Sequence, residues 1–117
     1  MTTQERDEMV KSIVRETIEE RFAGDFVFDP IVVAPAVDEW SPDATGETYL
    51  RIFIVFDGDQ KKLDPAWTGG LVRRIEPKLI AAGIEEFLST SWVEKSEWKD
   101  LYRRLRRGNP EIYVDSA

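Results

Sequence analysis

The sequence predicts an α+β domain over residues 1–117: a small, mostly antiparallel sheet with helices packed on one face, in the order α-β-β-α-β-α. Three observations predict it. Apolar residues recur at helical spacing in three separate stretches, β-branched and aromatic runs lie between them, and Pro, Gly and Asp gather at the junctions. No internal repeat, low-complexity segment or linker divides the chain, and 117 residues is the size of one ordinary domain.

The first helix is read from "TTQERDEMVKSIVRETIEERFAG", where Met9, Val10, Ile13, Val14, Ile18 and Phe22 follow one another at steps that gather them into one stripe. Thr2 and Glu5 have the spacing of a capping box, and Gly24 stands where a left-handed terminal residue is wanted, so the helix is expected from about Gln4 to Ala23. The first strand is "FVFDPIVVAPAV", residues 26–37. Pro30 and Pro35 cannot donate to a ladder, so this strand is expected at an edge or broken by a bulge. "DEWSPDATGE", residues 38–47, reads as a loop to the second strand, "TYLRIFIVFD". That strand alternates, with Leu50, Ile52, Ile54 and Phe56 on one face and Tyr49, Arg51, Phe53, Val55 and Asp57 on the other.

Both faces of the second strand are apolar, so Phe53 and Val55 need a cover, which the end of the chain or a second subunit would supply. A second helix follows with Leu71, Ile75, Leu79 and Ala82 on one stripe, kinked at Pro77 and ended at Gly83. "STSWVEK" gives a short third strand. The last helix, "EWKDLYRRLRR", is expected to be capped by Ser96, to turn Trp98, Leu101, Tyr102 and Leu105 inward, and to stop at Gly108-Asn109-Pro110. The tail "EIYVDSA" can add a fragment of strand.

Composition narrows the chemistry. With 42% hydrophobic and 33% charged residues the chain is of globular type. It has no cysteine and no histidine, which excludes disulfides, thiolate and imidazole metal ligands, and Ser-His or Cys-His catalysis. No apolar run approaches the ~20 residues of a membrane span and the N-terminus has no apolar leader core, so a soluble cytoplasmic protein without membrane contact is expected. The net charge of -7 is uneven. Residues 1–60 hold 5 basic and 14 acidic side chains, whereas residues 61–117 hold 11 basic and 9 acidic. Such an acidic chain repels nucleic acid at long range, so a polyanion would need a local basic patch.

Three groups of residues are candidates for function. Asp57, Asp59 and Asp64 in "FDGDQKKLDPAWTGG" could collect a hard cation and, through it, a phosphate; the opposing reading is a strand-to-helix corner, with Lys61 where a ligand is needed and Asp64-Pro65 as a helix start. Gly69-Gly70 opens a helix but has no phosphate-loop motif around it. Arg73, Arg74 and Lys78 on the second helix, with Lys99, Arg103 and Arg107 at four-residue steps on the last, form an alternative RNA- or anion-binding set; a basic last turn also complements a helix dipole by itself. The apolar surplus of the sheet, Tyr49, Phe53, Val55, Ile31 and Val33, with Trp40 in the acidic loop, is the candidate protein-interaction surface.

The α-β-β-α order resembles that of KH-like RNA-binding domains, but the GxxG loop that clamps the nucleic-acid backbone there is absent, so the resemblance is one of topology. The sequence therefore leads to a non-enzymatic protein-interaction module, adaptor- or antitoxin-like, that pairs with a protein partner including a second copy of itself and uses no cofactor. RNA or nucleotide binding is the alternative, and a magnesium-dependent phosphoryl enzyme the third reading.

Overall fold

The computed structural model describes residues 2–37 and 48–108. Helix α1 is Thr3–Phe22, strand β1 is Phe26–Val37 and strand β2 is Thr48–Gly58. A 3-10 turn, Gln60–Lys62, and the single-turn helix α2, Pro65–Thr68, lead into α3, Leu71–Ala81; β3, Leu88–Glu94, and α4, Lys95–Gly108, complete the described chain. The α-β-β-α-β-α order is thus the one expected, with α2 as an added preliminary turn.

Helix α1 begins as its sequence requires. Thr2 accepts a hydrogen bond from the Glu5 amide at 3.1 Å and its hydroxyl donates to Glu5 Oε1 at 3.1 Å, while Val10, Val14, Ile18 and Phe22 form the buried stripe. Helix α3 buries Leu71, Ile75 and Leu79, and runs through Pro77, which is exposed, to Ala81. Its end is a Schellman turn. Gly83, at φ +81°, donates to Ile80 O at 3.0 Å and Ile84 to Leu79 O at 2.9 Å, which brings the Ile84 side chain back into the core.

The sheet is β1-β2-β3, with β1 and β2 antiparallel and β2 and β3 parallel. It is therefore mixed, where a mostly antiparallel sheet was expected. The reason is the connection: β2 reaches β3 by way of α3, and a crossover helix brings the chain back in the same direction as it left. As its prolines foretell, β1 is an edge strand whose register slips between Phe28 and Ile31, around the cis Asp29–Pro30 peptide.

Helices cover both faces, where one was expected. Ile31, Val33, Leu50, Ile52, Ile54 and Phe56 pack with α1 and α3. On the reverse, Val32, Ala34, Phe53, Val55 and Val93 pack with Trp98 and Tyr102 of α4. The alternation of β2 demands this second layer, since an apolar residue points each way at every step. The needed cover is the last helix of the chain itself. Ser96 lies inside its first turn and does not precede it, because the strand passes directly into the helix at Lys95. Asn109, Pro110, the tail "EIYVDSA" and the loop at 38–47 lie outside the described residues.

Candidate functional site

The two outer edges of the sheet differ. Along β1 the bulge exposes two carbonyls, and each is taken by a cation from a different layer: Arg15 of α1 donates to Phe28 O at 2.7 Å and Lys95 of α4 donates to Asp29 O at 3.0 Å. Pro30 and Pro35 each remove a donor from this strand. That edge is blunted in the manner by which natural sheets resist further pairing.

Strand β3 carries no such device. Its sequence, "LSTSWVE", has no proline, lysine or glycine, and its register with β2 runs without a shift from Leu88 to Glu94. The Leu50 amide donates to Phe87 O at 2.8 Å, and the even spacing of a parallel ladder then turns the N–H and C=O of Leu88, Thr90 and Trp92 away from β2. No strand pairs with this outer edge among the described residues.

A cleft lies beside the edge on each face of the sheet. On the α3 face, the chain leaves the Schellman turn and crosses to β3 over Glu85, Glu86 and Phe87, leaving a cleft of about 470 Å³ floored by Val72, Leu79 and Leu88. Ile80 and Phe87 stand at it 62% and 78% exposed. Its rim is acidic, with Glu76, Glu85 and Glu86, and Glu86 is held by Arg6 at 3.3 Å, itself paired with Asp7 at 3.2 Å. On the α4 face a cleft of about 460 Å³ lies at the other end of the strand, between Trp92, Val93 and the helix residues Ser96, Glu97, Asp100 and Arg104. The Trp92 side chain points to the opposite face, against Phe28, and its indole N–H is buried without a hydrogen-bond partner among the described residues.

The residues singled out in the sequence fall elsewhere. Phe53 and Val55 are buried beneath α4, and Ile31 and Val33 beneath α1 and α3, so these four are core and not free surface; Tyr49 is half-buried. The self-association surface expected on them is occupied within the chain. Trp40 lies outside the described residues. In the acidic corner, Asp59 Oδ1 accepts from the Lys61 amide at 3.0 Å and Asp64 Oδ1 from the Ala66 amide at 3.1 Å, while Asp64 Oδ2 meets Arg21 at 3.8 Å and Asp57 is exposed. Each capping carboxylate faces its own turn, and no three acidic residues converge on a metal-sized site among the described residues.

Gly69 and Gly70 join α2 to α3; a methyl at Gly69 would come within 3.1 Å of Pro65 O, which is the packing reason for a glycine there. The basic residues are exposed but divided. Arg73, Arg74 and Lys78 belong to the helix on one face, with Arg74 stacked over the Trp67 ring at 5.1 Å, and Lys99, Arg103 and Arg107 to the helix on the other.

Sequence reasoning missed Ile80, Phe87 and the β3 edge. A signal was present: Ile80 lies off the Leu71–Ile75–Leu79 stripe, and Phe87 follows three residues after the buried Ile84 in a connection that is otherwise acidic. No helix among the described residues is long and apolar enough to cross a membrane. No protein-family model, curated protein or solved structure matches this chain.

Proposed function

We propose that the protein is a non-enzymatic interaction module that receives an extended segment of a protein partner as an added strand along β3. The observation that carries the reading is the contrast between the edges: β1 is bulged, proline-bearing and capped by Arg15 and Lys95, whereas β3 offers a regular row of outward N–H and C=O groups with a cleft on either side. In strand addition the main-chain bonds supply affinity and pockets for alternate side chains supply specificity, and this edge has both. An adaptor- or antitoxin-like role is of this type. Self-association is a special case of it, in which a second copy presents its own β3 across a two-fold axis.

Thr90→Pro tests the proposal. The Thr90 N–H points outward, so proline there leaves the β2 ladder intact and removes one donor from the docking edge. Wild type and variant are purified in parallel from the cells that make the protein, with circular dichroism and thermal melting to show that both are folded alike. The expected result is a polypeptide partner retained by the wild type and lost by Thr90→Pro. Equal retention by both, or none by a wild type that is also monomeric in light scattering, refutes the proposal.

A further inference from the structure

We infer that the segment received along β3 is basic and carries two anchors five residues apart, a large apolar side chain for the cleft beside Leu88 and a cation for the cleft beside Val93. This rests on the strand-addition reading and adds to it the chemistry and spacing of the partner. The spacing comes from the sheet. Side chains directly across a ladder share a face, and Leu88 faces the α3 layer whereas Val93 faces the α4 layer. A strand laid beside them therefore reaches both clefts only through residues an odd number apart. The number is five whether it runs parallel or antiparallel, a span of ~16 Å.

The chemistry comes from the linings. The α3-side cleft joins Val72, Leu79, Ile80 and Phe87 beneath an acidic rim, so it takes an apolar anchor and favours cations on either side of it. The α4-side cleft holds Glu97 and Asp100 against Arg104, an excess of one negative charge, and none of the three has an ion-pair partner among the described residues. A lysine or arginine entering there meets two carboxylates. The net charge of -7 favours approach of a basic segment over an acidic one from a distance. The same count disfavours a second copy as occupant, since its β3 offers one acid, Glu94, and no base.

The test uses the whole chain and synthetic nonapeptides of threonine and valine that carry one leucine and one arginine, measured by titration calorimetry. Peptides with the pair five positions apart are expected to bind. Those with the pair four or six apart, or with glutamate for arginine, are expected to bind at least ~tenfold more weakly, because a one-residue slip sends the second anchor to the wrong face. Binding is expected to be lost in Thr90→Pro. Equal binding at every spacing, still lost in Thr90→Pro, overturns the anchor inference and leaves strand addition standing. Binding unaffected by Thr90→Pro overturns both, whereas no binding up to ~1 mM peptide overturns the anchor inference. A wild-type dimer in light scattering that Thr90→Pro converts to monomer assigns the edge to a second copy and overturns the basic-segment inference alone.

Discussion

Replacing Trp98 with alanine should detach the layer that makes this fold possible. Trp98 is 2% exposed, with its ring 6.1 Å from Phe53 and 5.6 Å from Tyr102, and it is the largest side chain holding α4 to the sheet. A buried aromatic removes ~150–250 Å² from water, worth ~4–6 kcal/mol at about 25 cal/mol per Å². Part of this returns in the variant, because the Trp98 indole N–H is buried without a partner among the described residues. An unmet donor of that kind costs ~1–3 kcal/mol. The net loss for Trp98→Ala is then about 3 kcal/mol, a large fraction of the ~5–15 kcal/mol that stabilises an ordinary domain. Trp98→Phe keeps a ring and deletes the orphan donor, so it should stay within ~1 kcal/mol of the wild type. Urea unfolding followed by circular dichroism gives the two losses, and hydrogen exchange shows whether α4 amides lose protection ahead of those of β2. Trp98→Ala losing less than ~1 kcal/mol with α4 protected as before, or Trp98→Phe losing as much as alanine, would refute the account of how α4 is held.

Two further outcomes follow from the packing. Gly58→Ala should cost more than Gly24→Ala in urea unfolding: a Cβ at Gly58 would lie 2.5 Å from Phe26 Cδ1 and 2.8 Å from Asp25 O, whereas one at Gly24 meets nothing within 4 Å and bears only the strain of φ +85°; equal losses would contradict this. Phe53→Glu should give unfolded or insoluble chains, since the carboxylate would be placed beneath α4 beside Trp98; a folded, soluble variant by gel filtration and circular dichroism would show that α4 does not cover that face.

The elements were legible because each rests on a local rule. The α1 stripe, the Pro30 and Pro35 interruptions of β1, the alternation of β2 and the glycine after α3 all act through neighbours a few residues away. What the sequence did not disclose is relational. β3 is parallel to β2 because a helix intervenes, and nothing in "STSWVEK" marks that direction. The two-faced apolar character of β2 was plain, yet the identity of its second cover was not, because the stripe on α4, with Trp98 and Tyr102, would fit any apolar face on offer. The same limit displaced the candidate site: apolar residues in strands read as surplus surface until a second layer is placed on them. What remains at the surface is set by where α3 ends, and Phe87 is carried to the rim by the turn at Gly83.

The sandwich also bears on the choice between protein and nucleic acid as partner. Counterion release makes affinity for a duplex depend on the number of phosphates neutralised together, with a salt slope of about -0.9 for each. Arg73, Arg74 and Lys78 lie on one outer helix and Lys99, Arg103 and Arg107 on the other, with the sheet between them. A single strand or duplex lying on one face meets the cations of only one of these two helices. It would also have to pass acidic groups, since Glu76 shares α3 with the first set and Asp100 shares α4 with the second. The few phosphates that one helix of an acidic chain can neutralise give a weak contact with a shallow salt slope. The clefts beside β3 carry Glu76, Glu85 and Glu86 on one face and Glu97 and Asp100 on the other, so a segment docking there as proposed would be a basic polypeptide, because the same charge would repel a polyanion.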